Sequence, residues 1–457
     1  MAKLPLEGLR IADLTRAYAG TQCTRAWADM GAEVIKIEAV QRIDMPCRRL
    51  VYPENDPGEE PWNRGGYFHW LNVGKYGITL DMNNPKGIEI FKRLVKISDV
   101  VTENFSPRVM RNWGLDYESL KEIKSDIIMV SMSGFGQTGP HGDRAAYALV
   151  MESAGGLPSI TGQAGGSPIV MGTGYGDWAL GMTGAAAMLV ALHYRHRTGH
   201  GQHIDVAGRE AILCHIGEAM MDYTMNRRVW GPTGNRHSSM APHGCYRCKG
   251  EDEWIAIAIG TDEEWESFCK AIGDPPWTKE ERFSSALSRW QNQDELDKLI
   301  EEWTKEHDHY EAMQILQQAG VAAGAALNAK EILFDPHLKE RGLFDLIEHP
   351  AVGEKRPCPR QMTVEFSESK RVSPPRPAPL LGQHNEYVLG ELLGMSKEEI
   401  AQLEEEQIIG NTPLKFPQAQ KERGLNIPLM EKAGVCRTDP NYIEELGRFW
   451  LSQQDQS

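Results

Sequence analysis

The sequence predicts an α/β protein with a large domain on an open, Rossmann-like parallel sheet and a smaller α+β domain. Three observations carry this. Residues 9–14, 20–30 and 33–37 read as strand, helix and strand, a unit that requires parallel pairing. Later strand patterns end in loops of Gly, Ser and Asn, the expected ligand rim of an open α/β sheet. From about Ala241 the pattern changes to a hairpin followed by amphipathic helices, and 457 residues give ample core for two domains.

The elements follow in order. LRIADL (9–14) is a buried strand, a helix spans 20–30, and Gly31 leads to a second strand at 33–37. Glu38 ends that strand where a ribose-binding acid would sit in a dinucleotide fold, but G-x-G-x-x-G is absent, so NAD is not expected. Residues 40–66, irregular and rich in Pro, Arg and acids, read as a long surface loop of the kind that is often functional. LNVGKYGITLDM (71–82) gives a Gly-Lys turn and a short strand, and a helix runs over 84–96 from Pro85. Strands at 99–101 and 127–132 run into ENFSPRVMRNWGL and SGFGQTGP. Lys75, Asn104, Arg108 and Arg111 fall on these loops, and basic residues near strand ends suit a phosphate.

MGTGYGDWALGMTGAAAMLVALHYRHR (171–197) is the centre of the chain: a glycine-rich loop feeding a buried helix. Asp177 falls at or near the N-cap, where a carboxylate accepts free N–H groups and is favoured by the helix dipole. Two readings follow from these residues: a plain cap, or an ionised nucleophile. A short strand and a helix follow within RTGHGQHIDVAGREA, and 212–240 is mixed and Met-rich. CYRCKGEDEWIAIAIG (245–260) is a hairpin turning at 249–252. Helices follow at 262–272, 293–306, 309–319 and 329–333, with a strand at 320–327. Residues 341–366 read as strands returning to the first domain, 373–385 as a Pro-rich extended segment, and 386–393 and 396–407 as helices. The expected organisation is 1–206 as the first part of the large domain, 207–240 as linker and 241–335 as the small domain. Residues 336–410 return to the large domain, and 411–457 form a polar, patchy, loosely held extension.

A net charge of −15 argues against a general nucleic-acid or anionic-membrane binder while leaving room for a local basic patch. The apolar run at the N-terminus is too short for a signal peptide, and the run at 181–192 is too short to cross a bilayer. Eight scattered cysteines fit free thiols in a reducing compartment, and a cytoplasmic location is expected. His193, His196, His200 and His203 straddle a helix end without an acidic or Cys partner nearby in sequence, and Cys245 and Cys248 lack a second pair, so no metal is expected.

Taken together, the motifs resemble the class III CoA-transferases of the formyl-CoA transferase (CaiB/BaiF) type over most of residues 5–395. GLRIADLTRAYAGTQCTRAWADMGAEVIKIE (8–38) is similar to the family's opening β-α-β unit. LNVGKYGITLDM, DVVTENF (99–105) and SMSGFGQTGP (131–140) are similar to its next three motifs, in order. GDWALG with RTGHGQHIDV (176–206) resembles its Asp-centred helix and exit, and AGVAAGAALNAKEILFDPHLKERGLF (319–344) its small-domain segment. The resemblance implies that Asp177 is the catalytic aspartate: it attacks the donor thioester to give a mixed anhydride, then carries CoA as an aspartyl thioester, and the acceptor acid reverses the steps. Glycines near 174–176 and in PHGCY (242–246) would let backbone N–H groups approach the oxyanions. Implied CoA contacts are Arg16, Ala17, Tyr18 and Ala19 in the first loop, with Lys75, Asn104, Phe105, Arg108 and Met110. Of these, Lys75 and Arg108 would meet phosphates, and Phe105 or Met110 the adenine.

Two departures from the family pattern matter. Tyr18 stands where a member with Gln in the first loop would place it, and NRHSSMAPHG (235–244) replaces the glycine-rich loop of the formyl enzyme, which argues against oxalate or formate. Trp62, Tyr67, Trp178 and Met or Tyr residues at 220–230 would line an acceptor pocket suited to a larger, aryl-substituted succinate or similar acid, with succinyl-CoA as donor. The alternative on the same fold is a 2-methylacyl-CoA racemase. That family has His where this chain has Tyr147, here grouped with the CoA-contacting residues, and a neutral phenol is a poor proton shuttle. The resemblance further implies no permanently bound cofactor, CoA and acyl-CoA as substrates, and an interlocked homodimer. A hetero-oligomer with a paralogous chain is the alternative assembly.

Overall fold

The computed structural model describes residues 4–49, 51–172, 174–362, 364, 366–369, 375–417 and 424–451. The chain divides into two compact units. The first comprises Met1–Leu157, Met171–Met221 and Pro336–Ser457, and the second Pro158–Val170 and Asp222–Asp335.

Six parallel strands form the sheet of the first unit: β1 (Arg10–Asp13), β2 (Glu33–Glu38), β3 (Tyr76–Thr79), β4 (Val100–Glu103), β5 (Ile128–Ser133) and β6 (His203–Ala207). Their order is β3-β2-β1-β4-β5-β6, and every neighbouring pair is parallel. Ile11, Val34, Val100, Ile128 and Val130 are fully buried, as expected where helices cover both faces of a sheet.

Helices α1 (Ala19–Asp29), α2 (Gly66–Asn72), α3 (Pro85–Lys96), α4 (Arg108–Asn112), α5 (Tyr117–Ile123), α6 (Ala148–Gly155), α7 (Tyr175–Thr198) and α8 (Gly208–Leu213) complete the main frame. Asn84 caps α3 by accepting from the Lys86 N–H, with Pro85 at the first helical position. Phe91 and Leu94 of α3 and Leu120 of α5 pack on one sheet face, together with Val388, Leu389, Ile400 and Leu403 from the returning segment.

On the other face α1 lies against α7 at close range. A Cβ on Gly181 would sit 2.5 Å from the Ala19 carbonyl oxygen, and one on Gly184 would sit 2.7 Å from Met132 Sδ. The glycines after Asp177 therefore bring the start of α1 and the first turns of α7 together.

The second unit holds an antiparallel sheet of β7 (His243–Arg247), β8 (Trp254–Ala258) and β9 (Ala322–Ala325). Ile255, Ile257, Phe268, Leu296 and Leu316 form its core with the neighbouring helices. Helices at Asp262–Ala271, Gln293–Thr304 and His309–Gln318 match the amphipathic pattern. In the first unit, β10 (Phe344–Ile347) and β11 (Arg356–Pro359) make an antiparallel hairpin. The Pro-rich segment 373–385 begins in part outside the described residues. No described helix is long and apolar enough to cross a membrane.

Candidate active site

The site is built where α7 begins. Gly174 takes φ +70° at the N-cap, a left-handed conformation that glycine adopts without a Cβ penalty. Asp177 consequently sits three residues further on, inside the first turn, near the N-cap as the sequence suggested but not the cap itself. The capping work falls instead to Glu152 of α6, a residue the sequence reading did not single out. Its buried carboxylate accepts from the Gly176 N–H at 3.1 Å and from the Met171 N–H at 3.1 Å. No local sequence signal links a glutamate 24 positions upstream to a helix start.

Asp177 is relieved of capping and its carboxylate is half-buried. Burial first, then the charge of Glu152, pushes its pKa up to about 6. It therefore remains an anion at neutral pH, but a poorly solvated one. Such a carboxylate retains its negative charge with fewer waters to strip before attack.

Facing α7 is the turn before α1. Ala17 holds φ +56°, which is unusual for a residue with a side chain. The conformation is fixed from several sides. Asn104 accepts from Arg16 N–H and donates to Arg16 C=O, both at 2.8 Å. The Asp44 carboxylate accepts from Ala17 N–H at 2.9 and 3.1 Å, and Cys47 Sγ donates to Ala17 C=O at 3.0 Å. The next residue is Tyr18, whose ring meets Trp70 edge-on at 5.6 Å. Burial, followed by the charges of Asp177 and Tyr67, raises the Tyr18 hydroxyl to about 12, so it is a neutral donor at physiological pH. Buried pairs anchor the loop that carries Asp44: Lys36–Asp44 at 3.4 Å and Arg48–Glu38 at 2.6 Å. Burial alone would raise the Glu38 carboxyl, but the Arg48 and Lys36 charges bring it down to about 2. Glu38 is thus committed to Arg48 and does not present a ribose-binding acid.

A cleft of about 540 Å³ lies beyond the carboxyl ends of the first strands, as expected for ligands in a sheet of this order. Arg16, Arg42, Asn83, Phe105, Asn112 and Trp113 line it, with Phe105 and Trp113 edge-on at 5.5 Å. Arg16 Nη2 also reaches the carbonyls of Arg42 and Ile43. The sequence candidates Arg16 and Phe105 fall here, and Arg108 stands exposed on α4.

Three expected contacts are corrected. Lys75 is wholly buried, and its ammonium is consumed by Asp13, Thr21 C=O, Thr24 and Asn72 between 2.7 and 3.3 Å, so it has no face left for a phosphate. Met110 is 3 % exposed and belongs to the sheet core, so its side chain is not open to adenine. Trp62 is core as well, packed near Ile43, Leu381 and Phe416. Arg42 and Trp113 are cleft residues that sequence reasoning missed. Trp113 lies in the strand-end loop ENFSPRVMRNWGL, which was a signal for it, and Arg42 lies in the irregular loop.

Tyr147 is 74 % exposed at the start of α6, Ala19 opens α1, and Tyr67 and Trp178 are about half-exposed. PHGCY lies in the second unit on β7, preceded by a cis Ala241–Pro242 bond. Among the described residues no cluster of three His, Cys, Asp or Glu side chains is arranged to hold a metal ion.

Comparison with known proteins agrees with this architecture. The model of CoA-transferase family III matches residues 6–385. The succinyl-CoA–D-citramalate CoA-transferase of Chloroflexus aurantiacus is 33 % identical over 89 % of this chain and 98 % of its own. The human succinyl-CoA:glutarate CoA-transferase is 32 % identical over 87 % of this chain and 88 % of its own. A CAIB/BAIF family protein from Brucella suis superposes with a TM-score of 0.76 at 32 % identity, covering 86 % of this chain and 100 % of that one. With the family's motifs in order and its sheet reproduced, the chain belongs to CoA-transferase family III and is a class III CoA-transferase, acting on CoA thioesters and carboxylic acids.

Proposed function

We propose that the protein moves CoA from succinyl-CoA to a second carboxylic acid through covalent intermediates on Asp177. The observation that carries this is the half-buried Asp177 carboxylate, freed from capping by Glu152 at a glycine-started helix. A carboxylate oxygen of Asp177 attacks the thioester carbonyl, the C–S bond breaks, and CoA leaves as thiolate with a mixed anhydride behind it. The thiolate attacks the aspartyl carbonyl and expels the donor as its carboxylate. The acceptor carboxylate then attacks the aspartyl thioester, and returning thiolate takes the acceptor acyl group and restores Asp177. No step needs a net proton, which suits a site where Asp177 lies within electrostatic range of the Glu152 carboxylate and the neutral Tyr18 phenol.

Two relatives named for succinyl-CoA support the donor. Tyr18, Tyr67 and Trp178 favour an acceptor larger than formate, such as an aryl-substituted succinate. In the nucleotide cleft, Phe105 and Trp113 would hold the adenine, with Arg16 and Arg42 near phosphate. The outer face of α7 exposes Trp178, Leu189, Val190 and Tyr194, apolar surface that supports burial in a homodimer. Eight free cysteines fit a cytoplasmic setting.

The test is to incubate the protein with succinyl-CoA and no acceptor. CoA should appear on the peptide containing Gly176-Asp177-Trp178, and hydroxylamine should trap it. An unmodified peptide under turnover conditions would rule out the covalent route.

A further inference from the structure

The family model stops at residue 385, yet the chain continues, and its described stretches 411–417 and 424–450 do not lie loosely. They contact the loop 40–66 at four places. Leu414 N–H donates to Val40 C=O at 2.9 Å, and Phe416 meets Trp62 edge-on at 5.8 Å. Asn55 pairs with the Leu425 backbone in both directions, at 2.7 and 2.8 Å. Tyr442 donates to the Glu54 carboxylate at 2.9 Å, and Arg356 of the β10–β11 hairpin binds the same oxygen. The end of the stretch is anchored as well, with Trp450 nearly buried against Phe344 at 5.5 Å.

The contacted residues are not ordinary loop positions. Glu54 and Asn55 hold positive φ, at 50° and 60°, as does the neighbouring Val51, at 51°. None is glycine, and a β-branched residue there is a strong outlier. Such conformations persist only where surrounding structure over-determines them. Glu54 and Asn55 are the residues whose side chains bind the extension. Gly424 fits at Asn55 only because it lacks a Cβ, which would run into the Asn55 side chain and carbonyl.

The same loop reaches the reaction centre by its other end. Asp44 and Cys47 hold both backbone groups of Ala17, itself at φ +56°, and Tyr18 follows directly, within electrostatic range of Asp177. We propose that the C-terminal extension is a positioning strap for the transferase site: through Glu54 and Asn55 it holds the strained loop 40–66, which in turn fixes Ala17 and Tyr18 beside Asp177. This rests on the reading of Asp177 as the reacting residue.

The test uses two full-length variants, Gly424→Val, which wedges the strap off Asn55, and Tyr442→Phe, which removes one bond without changing volume. Hydrogen exchange is followed in peptides covering 44–55 and 14–20, with β8 of the second unit as internal control. Exchange should rise in both peptides by about fivefold or more in Gly424→Val, and to a smaller degree in Tyr442→Phe, with β8 unchanged. The kcat of Gly424→Val should fall by about tenfold, with KM for the CoA thioester held within about twofold, because a small misplacement at a reacting centre slows chemistry more than binding. Adding Ala17→Gly, which takes a positive φ without strain, should recover part of the lost kcat; a merely structural strap would give no such rescue.

Exchange confined to 44–55 and the extension, or unchanged kcat in both variants, overturns the proposal. If Gly424→Val unfolds and β8 exchanges too, Tyr442→Phe decides by the same criteria. Absence of an aspartyl adduct in the unmodified protein would remove Asp177 chemistry, whereas exchange transmitted to 14–20 would still support the mechanical link.

Discussion

Asp177→Asn should abolish transfer and at the same time stabilise the fold at neutral pH. The folded-state pKa is raised from 3.8 to about 6, so the native protein binds this proton more readily than the unfolded chain between those values. Stability therefore falls as pH rises through that window, and the full penalty applies above about pH 6. Two units correspond to at most about 3 kcal/mol, and partial solvent access reduces this to about 2 kcal/mol. Against it stands the lost attraction between an anion and the helix N-terminus, about 0.3–1 kcal/mol. The net expectation is about 1–2 kcal/mol of stabilisation at pH 7.5, shrinking towards zero by about pH 4. Urea denaturation of both proteins at several pH values measures it. An Asp177→Asn variant equal to or less stable than the parent at pH 7.5 would refute the placement of a half-buried carboxylate under the charge of Glu152, whatever the activity showed.

Four further outcomes follow from the same geometry. Glu152→Gln removes the like charge, so the acid limb of the kcat profile should move below pH 6; an unmoved limb would mean that Glu152 does not act on Asp177. Lys75→Met should lower stability by about 3–5 kcal/mol, because it leaves the buried Asp13 unpaired. A selective rise in KM for CoA thioesters with unchanged stability would return Lys75 to the nucleotide site. Trp113→Ala and Arg42→Ala should raise that KM with little change in kcat, and unchanged KM in both would place the nucleotide elsewhere. Gly181→Val should cost at least about 1–3 kcal/mol and separate α1 from α7, read by thermal melting, since its Cβ would lie 2.5 Å from the Ala19 oxygen.

Periodicity and turn chemistry determined much of the fold without help. The strand–helix–strand run at 9–37 made parallel pairing of β1 and β2 legible, because a crossover helix separates the two strands. The capping chemistry of Asn84-Pro85 and the amphipathic runs of the second unit lay within a few residues of one another, so they too were legible. Asp177 could be singled out because glycines, carboxylate and helix are contiguous. Helix α2 was not seen: GYFHWLN carries no cap, and its start rests on Gly65 and Gly66 fitting under Cys47 and Val51 carbonyls.

What only the tertiary structure decided depends on residues far apart in the chain. Sequence placed Lys75 on a loop beside phosphate, but packing surrounds it with Asp13, Thr24 and Asn72, where desolvation and hydrogen bonds exhaust its donors. Sequence put Asp177 at or near the cap and left cap and nucleophile both open, but Glu152 takes the capping bonds from another helix, and Asp177 stays half-buried within reach of the Glu152 charge. The extension after Gly410 looked loose because polar residues give no periodic signal. Its described part is held by a partner some 370 positions away, Asn55, whose side chain closes a bond pair with Leu425 that no local rule encodes.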